Sequence, residues 1–192
     1  LYIFILFFSC CKKSQDNIEK DFILVGTNTP FDPFELVRED GLFEGFDIDL
    51  VNKIGEILNK KIIIKDMAFD MLIIELSRGR IDMIIAGMSI TEEKLKQINM
   101  VNYLDGNREF YPVIFWKEIP VNIKNIVDIS NLKNKYISVQ AGTIQEKYLL
   151  ESVPESSIKN IENVSDLILE VKHKKSIAFS VDKPIFEKLK NQ

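Results

Sequence analysis

Ile81-Asp82-Met83-Ile84-Ile85-Ala86-Gly87-Met88-Ser89-Ile90-Thr91-Glu92-Glu93-Lys94 runs from an apolar segment through a glycine into charged residues. Residues 81–86 read as a buried strand that stops at Gly87. Ser89 with Glu92 three positions later has the spacing of a capping box, so a helix is predicted to open there. A strand–glycine–helix junction turns backbone N–H groups and the positive end of a helix dipole toward an anion. Lys94 adds a cation. Gly87, Met88, Ser89 and Lys94 are therefore candidates for holding a carboxylate, a binding role rather than a catalytic one.

Working outward, strands and helices alternate. Residues 22–25 form a short strand, and Glu39-Asp40-Gly41 marks a hairpin turn between 35–38 and 42–46. Ile48, Val51, Ile54 and Leu58 recur at helical spacing, with Asp47 as cap. A strand at 61–65 and a helix carrying Leu72, Ile73 and Leu76, ended by Gly79, lead into the quoted stretch. The apolar run 110–116 is predicted to carry the chain into a second unit. There the alternation repeats: strands at 136–139, 158–161 and 176–181, helices at 143–150 and 165–172. Alternating β and α elements imply open sheets with helices on both faces. Ligands in such sheets bind at the carboxyl ends of strands. Those ends fall at 26–34, 86–91 and 140–143.

Composition narrows the function classes. A net charge of −4 gives no footprint for nucleic acid. His173 is the sole histidine and sits among lysines, where a solvated role is expected; it leaves no His-based triad or multi-histidine metal site. No Walker loop, dinucleotide fingerprint or Cys-x-x-Cys is present. No metal and no cofactor is expected.

Several segments, in order, resemble one family. The stretch 87–94 is similar to the GMTITEER element of the bacterial periplasmic solute-binding proteins, family 3, which serve polar amino acid ABC transporters. Val25-Gly26-Thr27-Asn28-Thr29-Pro30-Phe31-Asp32-Pro33-Phe34-Glu35, Gly45-Phe46-Asp47-Ile48-Asp49-Leu50 and Val139-Gln140-Ala141-Gly142-Thr143 match in register, and Val181-Asp182-Lys183-Pro184 more weakly. The resemblance spans residues 22–190. It implies a two-lobed periplasmic binding protein type II fold, lobe 1 at 22–108 and lobe 2 at 109–192. It also implies capture of an amino acid by hinge closure, delivery to ABC permease subunits in the membrane, and a monomer.

The same resemblance assigns roles. Phe31 and Phe69 become aromatic walls of the cleft, although loop packing explains either residue equally well from sequence. Phe34 and Phe46 read as core. Lys94 stands where the family has Arg, and a point charge on a flexible stem replaces a planar bidentate fork; its alternative reading is a solvated helix lysine. Ser89 and the N–H groups around Gly142 and Thr143 support the anion. Asp182 pairs with the ligand's ammonium, or caps the helix beginning near Pro184. Asn28 matches a position that is often Asp in members binding cationic side chains, and its neutral amide argues against a strictly Lys- or Arg-specific site. A cyclohexadienyl dehydratase-like enzyme and a ligand-sensing receptor domain are alternatives on the same fold.

The ends carry their own expectations. Residues 1–9 resemble part of a lipoprotein signal peptide. Cys10 is the expected lipidation site, with Cys11 the alternative, and 10–21 forms a tether. This places the protein on the extracytoplasmic face of the membrane. No cysteine follows Cys11, so no disulfide forms within the lobes. Relative to the family, the C-terminal return segment is expected to be missing from lobe 2.

Overall fold

Strand β1 (Phe22–Thr27) sends its side chains alternately to two faces, and each face is covered. A computed structural model describes residues 20–103 and 111–190 of the chain. The antiparallel hairpin β2 (Leu36–Val37) and β3 (Phe43–Glu44) follows β1. Next come α1 (Phe46–Leu58), β4 (Lys61–Asp66), α2 (Leu72–Ser77) and β5 (Met83–Ile84). β1 lies between β4 and β5 in an all-parallel sheet. One face carries Val25, Val51 and Ile85, with Val51 supplied by α1. The other carries Phe69, Leu72, Ile81 and Ala86, with Leu72 supplied by α2. Burying one such aliphatic side chain contributes about 1.5–3 kcal/mol.

The chain continues through α3 (Glu92–Leu95) and β6 (Val113–Phe115) into β7 (Ile137–Gln140), α4 (Ile144–Ser152), β8 (Ile158–Ile161), α5 (Val164–Lys172), β9 (Ala178–Ser180) and α6 (Lys183–Lys190). The second sheet has the order β6-β9-β7-β8. β6 pairs antiparallel with β9, while β9–β7 and β7–β8 are parallel. Its faces bury Ile137, Val139 and Leu149 on one side, and Leu167, Phe179 and Ile185 on the other. The expected α/β architecture of open sheets flanked by helices is present.

Four local expectations are corrected. Asp47 does not cap α1: it lies inside the first turn and is fully buried, and Gly45 occupies the N-cap. Backbone carbonyls do the capping, since Phe46 N–H donates to Pro33 O (3.1 Å) and Asp47 N–H to Phe34 O (2.9 Å). Phe46 is not core: it is 49% exposed, with its ring edge-on to the half-buried Phe34 at 6.5 Å. The ladder of β5 holds only Met83 and Ile84, flanked by single bonds from Asp82 N–H to Leu24 O and from Ile85 N–H to Gly26 O. Finally, α3 begins at Glu92, not near Ser89. Thr91 has extended backbone angles and caps the helix, its Oγ1 accepting from Lys94 N–H at 3.2 Å. Residue 110, Cys10 and Cys11 lie outside the described residues.

Carbonyl capping of α1 requires close backbone approach. Gly45 has φ 122°, and a Cβ there would sit 2.3 Å from Phe34 O. Gly45→Ala is expected to cost about 1–3 kcal/mol, the range for a residue held in a disfavoured backbone region. The thermal midpoint of the variant checks this; Gly41→Ala, with φ 81° but open space around its Cβ, shares the backbone penalty, so the excess loss at Gly45 reports the close approach to Phe34 O.

Candidate functional site

The carboxyl ends of β1 and β5 face those of β7 and β9 across a cleft of about 510 Å³, its mouth included. Eight of the nine predicted ligand-binding residues line it: Asn28, Phe31, Phe69, Gly87, Ser89, Lys94, Thr143 and Asp182. Met88 does not; its side chain packs on the cluster of Phe69, Leu72, Ile81 and Ala86. The sequence therefore brings together the two strand-end loops of one sheet and those of the other, as the topology of parallel sheets requires.

On the N-terminal side, the segment 87–91 is a loop leading into a single helical turn, so a helix dipole contributes little here. The loop is held by Tyr103. Gly87 N–H donates to Tyr103 Oη (3.0 Å), and that hydroxyl donates to Asp47 Oδ2 (2.7 Å). Lys94 Nζ donates to Ser89 O (3.4 Å) and lies 5.7 Å from the centre of the Phe69 ring, a cation–π distance. Phe31 stacks on Phe34 (5.3 Å, 23°), sits over Gly87, and also packs on the apolar cluster of Leu167 and Val181 in the C-terminal half.

On the C-terminal side, Thr143 caps α4, its Oγ1 donating to Gln140 O (2.7 Å) and accepting from Glu146 N–H (3.3 Å). Gly142 N–H is taken by Glu146 Oε2 at 2.7 Å, so this expected anion donor is turned to its own helix. Asp182 is buried, and its Oδ1 accepts from Gln145 Nε2. Its backbone carbonyl accepts from Phe186 N–H (3.0 Å) in the opening turn of α6.

Polar contacts join the two halves. Gln140 Nε2 donates to Asn28 Oδ1 (2.6 Å), while Asn28 Nδ2 donates to Met67 O (2.9 Å). The Asn28 oxygen thus joins the halves, while its amide nitrogen is fixed within the N-terminal one. Lys147 meets Glu93 at 2.7 Å, and Lys188 pairs with Asp32. Both ion pairs are well exposed and of small energetic weight.

Glu35 and Gln140 line the cleft and were not singled out from sequence as site residues. Gln140 was legible as the last residue of a strand before Gly142-Thr143. Glu35 offered only a charge in an otherwise apolar setting. Glu35 is fully buried, and neither of its carboxyl oxygens takes a hydrogen bond from an N–H or hydroxyl donor among the described residues; the same holds for Asp47 Oδ1. The two carboxyls adjoin, and an O–H on Glu35 donating to Asp47 satisfies both. Burial, then the Asp47 charge, pushes the Glu35 carboxyl from an ordinary 4.5 up to about 10. Burial also raises Asp47, opposed by hydrogen bonds from Tyr103, Glu35 and the Gly87 backbone. No group of three or more His, Cys, Asp or Glu suited to a metal occurs among the described residues, and no helix there is long and apolar enough to cross a membrane.

The fold, two open α/β sheets with a cleft between their strand ends, is that of the type II periplasmic binding proteins. Residues 23–150 match the family described as bacterial extracellular solute-binding proteins, family 3, and the chain belongs to that family. It is 36% identical over 167 residues to a probable ABC transporter arginine-binding protein, ArtJ, of Chlamydia trachomatis, covering 87% of this chain and 62% of that protein. An ancestral arginine-binding protein bound to arginine superposes with a TM-score of 0.73 at 30% identity, covering 88% of this chain and 74% of that one. AncCDT-1, an ancestral amino acid-binding protein and precursor of cyclohexadienyl dehydratase, superposes with a TM-score of 0.70 at 26% identity, covering 88% and 74%.

The buried Glu35 has a consequence for stability. Its folded pKa is raised, so the folded chain holds a proton that the unfolded chain has released above about 4.5. Stability is fully present below that pH and falls as pH rises toward about 10, at about 1.4 kcal/mol per pH unit for one proton. Glu35→Gln, which keeps the shape of the neutral acid, is expected to flatten this slope. Denaturant titrations of both proteins at pH 6, 7 and 8 check it.

Proposed function

We propose that the chain is the extracytoplasmic substrate-binding protein of an ABC transporter, closing two lobes around a polar amino acid and presenting it to the permease. The lobes are residues 22–108 and 109–192. A lipid on Cys10, or on Cys11, anchors the protein to the membrane. The activity is binding and not catalysis.

One observation carries the reading. Lys94 and Ser89 line one side of the cleft and Asp182 the other, with Phe31 and Phe69 as apolar walls between them. A zwitterion presents one carboxylate and one ammonium, and this arrangement offers a partner to each. Excluding water on closure strengthens both contacts. The ligand we propose is a cationic amino acid of the arginine type. The named ligands of the relatives support this choice, and Glu35 supplies an acidic group in the cleft beyond what the α-ammonium uses. That choice departs from the expectation drawn from Asn28, whose amide is spent on Gln140 and Met67.

Thermal melts with each of the common amino acids test the function. A ligand at 100 times its Kd stabilises the folded state by about 2.7 kcal/mol, an upward shift of several degrees. Arginine is expected to give the largest shift; a cooperative melt that no amino acid moves overturns the reading. Lys94→Ala is expected to weaken arginine binding by at least about tenfold, the loss of one charge-assisted contact. Absence of product from prephenate and arogenate checks that the cleft is not a dehydratase.

A further inference from the structure

Two carboxyl groups, Glu35 in the wall of the cleft and Asp47 behind it, adjoin, and no cation among the described residues is a main influence on either. Glu35 comes from the loop after β1 and lines the cleft; Asp47 lies behind it on α1. Both are fully buried. Few groups among the described residues face the pair. Tyr103 donates its hydroxyl to Asp47 Oδ2, and Asp66, at the end of β4, contributes further negative charge. Asp66 is itself held by Thr29, through its N–H (2.8 Å) and its hydroxyl (2.9 Å). Lys94 and Asp182 line the same cleft. Three oxygens of the pair, both of Glu35 and Oδ1 of Asp47, have no N–H or hydroxyl donor among the described residues.

Two adjacent buried carboxylates cannot both be ionised without a cation beside them, and a single shared proton is the least costly alternative. The empty cleft therefore carries an acid on Glu35 whose O–H points to Asp47. A cationic side chain entering the cleft changes that balance: it supplies the charge that the proton had been supplying. We propose that Glu35 and Asp47 share one proton in the unliganded protein, and that this proton passes to solvent when the guanidinium or ammonium head of a cationic amino acid reaches Glu35. The balance is one for one: a neutral carboxyl and a cation enter, a carboxylate–cation pair forms, and one proton leaves to buffer. A neutral amino acid such as glutamine brings no charge to replace the proton, so the Glu35 O–H keeps donating to Asp47 and nothing is released. Glu35 thus makes binding of cationic ligands pH-dependent and leaves binding of neutral ones unaffected. This inference rests on the amino-acid-binding reading above.

Calorimetric titration of the whole chain with L-arginine and with L-glutamine, each in phosphate and in Tris at pH 7, tests it. The difference in heat between buffers of low and high ionisation enthalpy counts protons directly. About one proton is expected to leave per arginine and none per glutamine, and the arginine Kd is expected to tighten by about tenfold per pH unit from pH 6 to 8. Glu35→Gln is expected to abolish the proton release and flatten the arginine profile. The wild-type buffer series and pH series stand without the variant, should it not fold. Arginine binding without proton release overturns the inference alone. So does proton release by glutamine, or release that persists in Glu35→Gln. Absence of heat with every amino acid overturns the binding function and the inference together.

Discussion

The Tyr103 hydroxyl is the contact on which the ligand-facing loop depends. It accepts from Gly87 N–H and donates to Asp47, so one oxygen ties the loop after β5 to the first turn of α1. Asp47 can sit inside that turn, fully buried, because the hydroxyl and a protonated Glu35 supply its donors. The phenol is itself pushed well above its ordinary range, first by burial and then by the Asp47 charge, so it stays a donor. Leaving any member of such a relay unpaired in the interior costs about 1–3 kcal/mol. The positions of Ser89 and Lys94 follow from where this relay pins Gly87.

The alternation of elements was legible because it is a matter of period. Ile62 and Ile64 on β4, Ile137 and Val139 on β7, and Val51 on α1 fall on covered faces as the pattern demands. The strand-end rule then placed Asn28, Thr143 and Asp182 around one cleft. Helix starts were less legible, since they turn on backbone angles and on which neighbour arrives to cap. Ser89-x-x-Glu92 has the right letters, yet Thr91 holds the extended backbone that a cap needs. Asp47 has the right chemistry for a cap, yet the carbonyls of Pro33 and Phe34 occupy that place through Gly45. Glu35 was missed for a related reason: its importance comes from Asp47, and nothing in the spacing of the two shows that they adjoin.

The same geometry assigns different work to residues that look alike in sequence. Asn28 and Gln140 are polar strand-end residues turned to the cleft, but they bond to one another and bridge the halves. Phe31 and Phe69 are both aromatic walls, but Phe69 belongs to the N-terminal core whereas Phe31 reaches across to the C-terminal one. Any separation of the two halves would expose part of the Phe31 ring and break the Asn28–Gln140 bond. The exposed ion pairs Lys147–Glu93 and Lys188–Asp32 add little to that cost.

The strand order of the second sheet has a bearing on how the chain folds. The first sheet draws β1, β4 and β5 from residues 22–84 and can assemble from one continuous segment. In the second, β9 is the last strand in sequence among the described residues and yet lies between β6 and β7, with Val113 paired to Ser180 and Ile137 to Ala178. Until β9 emerges, β6 has no neighbour and β7 presents a bare edge. Closing a loop of that length slows the step without adding much to its equilibrium cost. The second sheet is therefore complete only once its central strand is inserted, and until then the edges of β6 and β7 are open to misassociation.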